Sequence, residues 1–245
     1  MTYVALAHGL VALVCAGLHL VRATPILGMH PADKPLKFAL SIAAFLFSMS
    51  ALLPALSVGA ATRRTLAVTL SITMSAEMIV IALQALRGRR SHFNVEQPLD
   101  ATVVGVMFAG IAVLLSTMIA IALLATLRPL ATSALLAAAW RSALWLFLFA
   151  AVSGFGMGAR ARHTVGAGDG GPGMALTGWS TTHGDLRVSH FLSLHALQII
   201  PLAAAAISRL PVAAGARGAL LALVASANAA VAVWTWLRAL ADKPF

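Results

Sequence analysis

The sequence predicts an all-α, polytopic integral membrane protein, a seven-transmembrane-helix bundle occupying residues 1–245 as one unit. Three observations lead there. Hydrophobic residues make up 60% of the chain and charged ones only 10%, whereas an ordinary soluble domain is about a quarter charged. Mean hydropathy is +0.93, so a water-soluble fold would have a core with almost no polar surface to cover it. Finally, seven apolar stretches follow one another, each near the roughly 20 helical residues that a hydrocarbon layer about 30 Å thick requires.

The expected spans are 3–21, 37–57, 65–86, 101–127, 134–158, 188–208 and 216–238. Continuous runs rich in Ala and Leu, without alternation, make them helices and not barrel strands. The first, MTYVALAHGL onward, has neither the basic n-region nor an obvious small-residue cleavage site of a signal peptide and is expected to remain as a helix. The second follows the proline-bracketed loop HPADKP and carries Lys37, Ser41 and Ser48 on one stripe. The third places Thr69, Thr73, Glu77 and Gln84 within an arc of roughly 80°. An ionised carboxylate at mid-span is costly, so Glu77 is expected to be protonated, paired or facing a wet cavity. This span ends in RGRRSHFNVEQPLD, a charged loop with Arg87, Arg89, Arg90, His92, Glu96 and Asp100. The fourth and fifth spans lead to a long polar loop, 159–187. Its run VGAGDGGPG follows no strand and opens no GK[ST] helix, so a phosphate loop is rejected. Trp179, near Met174, Ala175 and Leu176, should pack part of the loop onto the bundle, and Thr182 or Asp185 can cap the sixth span. The last span offers Gly215, Gly218, Ala219, Ala222 and Ser226, the small residues that close helix packing in lipid uses.

The net charge of +10 comes from 17 Lys and Arg against 7 acids. Most of these cations stand at segment ends, where they anchor to headgroups, so the partner is a lipid bilayer and not nucleic acid. Seven crossings put the termini on opposite sides. One face carries Arg63, Arg64, Arg128, Arg141, Arg209 and Arg217 without an acid; the other carries the remaining cations and the polar block from Arg160 to Gln198. Counting Lys and Arg favours this richer, His-bearing face as cytoplasmic in a cell membrane. The single cysteine, Cys15, lies in an apolar stretch, which excludes a disulfide framework and a Cys-rich zinc site. No internal repeat supports an inverted-repeat transporter.

The Arg160–Gln198 block holds His163, His183, His190 and His195 with Asp169 and Asp185. Loops of this length are either functional or disordered. His190 and His195 point about 140° apart, so they do not chelate one ion as an i, i+4 pair does, and each needs partners on a different helix. His195 and Gln198 lie within about 60°, while His190 faces the side of Ser193 and His183. The expected catalytic groups are therefore Glu77, Asp185, His190 and His195, with Lys37, Arg87, Arg89, His92, Trp179, Arg187 and Gln198 holding substrate. His183, His190 and His195 are the candidate ligands of a divalent metal, zinc or iron, which neutral imidazoles and carboxylates bind at about 2 Å. Haem is the other histidine-based cofactor. His8 and His19, about 16 Å apart on nearly one face of the first helix, could serve two haems, although satisfied intramembrane histidines explain them better.

The segments KPLKFALS, RGRRSHFN and DGGPGMALTGWSTTHGDLRVSHFLSLHALQ resemble those of a group of uncharacterised multi-spanning bacterial membrane proteins. That resemblance implies the fold and no reaction. In layout the chain is also similar to seven-helix membrane hydrolases, which hold zinc with three histidines and an aspartate, although its last span lacks their HxxxH pair. It is similar in size and span count to small membrane terpene cyclases, in which a buried acid such as Glu77 would protonate a prenyl chain. Three readings follow: a membrane-embedded enzyme acting on a lipophilic small molecule, a proton-coupled small-molecule transporter, and a structural or assembly subunit of a membrane complex.

Overall fold

The computed structural model describes residues 1–245. Its helices are α1 (Thr2–Leu18), α2 (Asp33–Leu52), α3 (Ala60–Leu86), α4 (Pro98–Leu127), α5 (Ala134–Arg160), α6 (Leu186–Leu194), α7 (Ala196–Ile207) and α8 (Ala214–Leu240); two short strands, β1 (Thr164–Val165) and β2 (Gly184–Asp185), pair antiparallel in the long loop. Local sequence sets the boundaries. Pro98 opens α4 with Asp100 in its first turn, where the helix dipole favours an acid. Ser133 caps α5 by accepting from the Leu136 N–H at 3.3 Å, and Ala161 ends that helix in the left-handed region at φ 50°.

All seven apolar stretches are helical, but they are not seven equivalent spans. Five helices are long and apolar enough to cross a membrane, α2 counted with the 3-10 turn Leu53–Ala55, and the bent pair α6–α7 makes a sixth if taken as one span. With 17 residues, α1 is about 25 Å long, short of the roughly 30 Å hydrocarbon layer. The expected sixth span is broken at His195, where the two halves meet at 43°. Pro201 inside α7 offers no N–H to the Leu197 carbonyl, which loosens the turn just beyond the break and not the break itself. His195 itself, at φ −80° and ψ −2°, closes α6 with its N–H on the Phe191 carbonyl and opens α7.

The core runs through α2, α5 and α7, where Leu46, Met49, Leu144, Leu197 and Ile200 are fully enclosed. Ala39, Ala139, Ala143 and Ala196 are completely buried among them and let the backbones approach. Helix α1 lies against α2, and α5 packs against α4, α6, α7 and α8. In the most apolar windows of α4 and α8 only 22% and 17% of residues are buried. What these helices turn outward is Val106, Phe108, Leu123, Leu223 and Leu237. The expectation for α8 is corrected here: Gly215 and Gly218 face open space, and its packed small residues are Ala232 and Ala239.

The loops gather at two ends, as the alternation of the helices requires. At one end Ser57 Oγ donates to the Pro129 carbonyl at 2.6 Å and Ala131 N–H to the Ala55 carbonyl at 2.8 Å. At the other, the α1–α2 and α3–α4 connections, the long loop and the C-terminal residues meet. This second end holds most of the ionisable groups.

Candidate functional site

The long loop is a built structure. Asp169 accepts the N–H groups of His163 and Thr164 at 3.2 and 3.0 Å, β1 pairs with β2, and a further bridge joins Gly173 to Ser180. Trp179 packs edge-on against Phe191 and Phe245, as its composition led one to expect. Asp185 caps α6 and accepts from Ser180 N–H at 2.8 Å, Arg187 N–H at 3.0 Å and Arg187 Nη2 at 2.6 Å. Burial pushes its carboxyl up, but the Arg187 hydrogen bonds and charge outweigh that and hold it below the usual carboxylate range. Arg187 also donates to the Gly178 carbonyl, at 2.5 Å. Expected as a catalytic and a substrate group, these two instead spend their hydrogen bonds on each other and on the loop backbone. His183 donates to Asp242 at 3.0 Å. The Gly184 N–H and this imidazole depress the Asp242 pKa.

The stripe on α3 has a different character. Thr73 donates to its own helix, and Gln84 Nε2 donates to Asp100 at 3.0 Å, where Arg87 closes an ion pair at 2.8 Å. Arg89 pairs with Glu96 at 3.4 Å. Arg87 and Arg89 thus hold acids of their own loop and helix start, not a free binding surface. Glu77 is only 6% exposed, and its Oε1 accepts no hydrogen bond. His92, folded back from the α3–α4 loop, stands with Nε2 3.4 Å from that oxygen, within contact but not aligned for a hydrogen bond. Lys34 Nζ donates to His92 Nδ1 at 3.0 Å, which leaves the ring proton on Nε2, toward Glu77. Burial, then the Lys34 charge, keep the His92 pKa well below its ordinary value, so the ring is neutral.

Glu77 lines a cavity of about 450 Å³ between α3 and α4. Thr73, Glu77 and Met107 form its buried floor, and Val68, Ile72, Val106 and Val113 form exposed apolar rims. It is thus a lateral groove with one carboxylate at its base.

His190 and His195 do take partners on different neighbouring helices. His190 Nδ1 donates to the Ala150 carbonyl on α5 at 2.9 Å, with Ser153 Oγ at 3.4 Å. It therefore faces α5 and not the Ser193 and His183 side. His195 Nδ1 meets Gln198 Oε1 at 3.1 Å, as their spacing predicts, and its Nε2 lies 3.4 Å from Ser41 on α2. Gln198 reaches Ser48 at 2.8 Å, so two of the three residues on the α2 stripe serve α7; the third, Lys37, donates to the Thr177 carbonyl at 2.9 Å.

The expected metal trio is not assembled. His183, His190 and His195 go to Asp242, α5 and α2 respectively, and no three His, Cys, Asp or Glu side chains gather closely enough to hold an ion. On α1, His8 donates to the Val4 carbonyl at 2.8 Å, while His19, just past the end of that helix, pairs with Asp33 at 3.0 Å and stacks on His30. Sequence reasoning missed Lys34 and Asp242. Lys34 stands one turn before Lys37 on α2, a signal the chain did offer; Asp242 gave none.

No protein-family model matches the chain, and comparison with curated proteins and with solved structures likewise finds no match. Fold and site place it by architecture: an all-α protein whose long apolar helices suit a lipid bilayer, as in multi-pass membrane proteins.

Proposed function

We propose that this is a seven-crossing, membrane-embedded enzyme that takes a lipophilic small molecule into the α3–α4 cavity, with Glu77 as the acid or base acting on its polar end. One observation carries the reading: a buried carboxylate oxygen without a hydrogen-bond partner on the floor of a 450 Å³ groove with apolar rims. Such a group is expensive to keep in a membrane segment, and the volume lies within the usual range for small-molecule sites. His92, neutral with its Nε2 proton facing Glu77, acts as the proton donor or acceptor behind it, and Lys34 fixes that tautomer.

The test is lipid analysis of the purified protein beside Gly110→Leu. Gly110 lines the groove and its missing Cβ would meet only Thr73 at an ordinary 3.8 Å, so Leu fills the space while Glu77 stays. A lipophile carried by the wild type and at least about tenfold depleted in the variant supports the site, that ratio being about 1.4 kcal/mol of binding. Identical lipid content overturns it. The Lys34–His92–Glu77 chain, leading from the polar end into the groove, favours a proton-coupled carrier as second reading. That reading requires Glu77→Gln to flatten the pH dependence of flux in liposomes.

A further inference from the structure

A second site lies across the bundle, where α2 meets the break between α6 and α7. The hydrogen bonds there have a fixed direction. Ser48 Oγ gives its proton to the Ala44 carbonyl at 2.9 Å and accepts from Gln198 Nε2 at 2.8 Å. The Gln198 amide is thereby oriented, with Oε1 toward His195 Nδ1 at 3.1 Å. The His195 proton must then sit on Nδ1, so Nε2 is left as a bare acceptor facing Ser41 Oγ at 3.4 Å. A serine hydroxyl on the free nitrogen of an imidazole, whose other nitrogen is held by an acceptor, is the arrangement that activates serine nucleophiles. At 3.4 Å the pair stands at the outer limit of a hydrogen bond, and a small rotation of the serine hydroxyl group about its Cα–Cβ bond would shorten it.

Two further features set this chain apart from ordinary polar packing. His195 is placed at a helix break, not inside a helix, and discontinuous helices within membrane bundles are where polar sites are built. Ser41 and His195 are both half-buried, so neither is sealed in the core. The wall beside them is aromatic: Phe191 lies 4.2 Å from the His195 ring, with Trp179 packed behind it.

We infer that Ser41 and His195, with Gln198 and Ser48 as positioning residues, form an acyl-transfer site for a lipophilic carboxylic ester. His195 Nε2 takes the Ser41 proton as Oγ bonds to the ester carbonyl carbon; the alcohol leaves with that proton, and an acyl-serine remains. Water, giving its proton to the same nitrogen, then adds to the acyl carbon, the acid departs and Ser41 recovers its hydrogen. Neither step uses Glu77 or the α3–α4 groove, so this site stands or falls independently of the proposed function.

An alkyl fluorophosphonate tests it on the full-length protein in detergent, since the Ser41 Oγ–P bond forms as fluoride leaves. Peptide mass spectrometry should find the adduct on Ser41 and not in Ser41→Ala. The labelling rate should fall at least about a hundredfold in His195→Ala, the usual worth of a general base. Gln198→Glu, which retains an acceptor for Nδ1, should keep most of the rate that Gln198→Leu loses; a purely structural network would not make labelling follow that acceptor. Absence of the Ser41 adduct in wild-type protein with an intact thermal transition overturns the proposal, and so does a wild-type labelling rate in His195→Ala.

Discussion

Asp185 and Glu77 are both buried carboxylates, and what separates them is how many hydrogen bonds each accepts. Asp185 is saturated by Ser180 and Arg187; Glu77 keeps a bare oxygen. Truncating the first should therefore damage the fold, and neutralising the second should not. Asp185→Asn leaves the half-buried Arg187 beside a neutral amide at a cost of about 3 kcal/mol, the low end for a buried pair because Arg187 remains 24% exposed. A thermal melt in detergent reads this directly, and Arg187→Lys should lose much of the same stability because a single ammonium cannot reproduce the forked contact. The Asp185 carboxyl titrates below its unfolded value, so its stabilisation is present above about pH 4 and is lost as pH falls through the folded pKa. His92 acts in a higher range. Its folded pKa is lowered, so the unfolded chain takes up a proton first, and stability declines as pH drops below about 6.5. His92→Gln should lessen that slope between pH 7 and 5, while the share that remains comes in part from His163, whose pKa burial lowers to about 4, and the acid limb stays intact.

At the level of elements, what could be read from the sequence followed how local each cause was. Helix positions came from continuous apolar runs and lie within a few residues of the observed ends; of the two candidate caps, Thr182 and Asp185, suggested by residue type, Asp185 is the one used, and the His195–Gln198 pair came from helical spacing. The break in the sixth span was less visible, because 188–208 is apolar enough to read as one helix despite Pro201. The pairings of Lys34 with His92 and His183 with Asp242 join residues 58 and 59 positions apart, so nothing in the local pattern of one sequence announces them. The order of the long loop was equally hidden, since it rests on contacts with α8. At Gly184 any Cβ would run into the Ala239 backbone, which cannot swing aside as a side chain can. Gly184→Ala should cost about 1–3 kcal/mol and raise the open population of this loop roughly tenfold. Chymotryptic cleavage after Trp179, which the packed loop protects, should accelerate to match; an unchanged rate would mean that α8 does not hold the loop down.

For the whole molecule the decisive question is how many times the chain crosses. Five helices have the length, the α6–α7 pair supplies a sixth crossing if it acts as one span, and the seventh depends on α1, whose 17 residues are short for the task. Its outward residues, Leu6, Leu10 and Leu13, would nevertheless sit in hydrocarbon, and Leu20 and Val21 extend the apolar surface past its end. The bilayer would have to thin slightly around it, at a cost of fractions of a kcal/mol per Å. Seven crossings place Thr2 on the same side as Ser57, which is tied to Pro129, and opposite Thr181 in the long loop. Single cysteines at these three exposed positions, introduced on a Cys15→Ala background, report the arrangement through a membrane-impermeant maleimide applied to intact cells. Because the long-loop end carries most of the Lys and Arg, it should face the cytoplasm. Thr2→Cys and Ser57→Cys should therefore label, and Thr181→Cys only after the membrane is opened. Labelling of Thr181→Cys alone would keep the seven crossings and reverse the orientation; labelling of Ser57→Cys without Thr2→Cys would show that α1 does not cross.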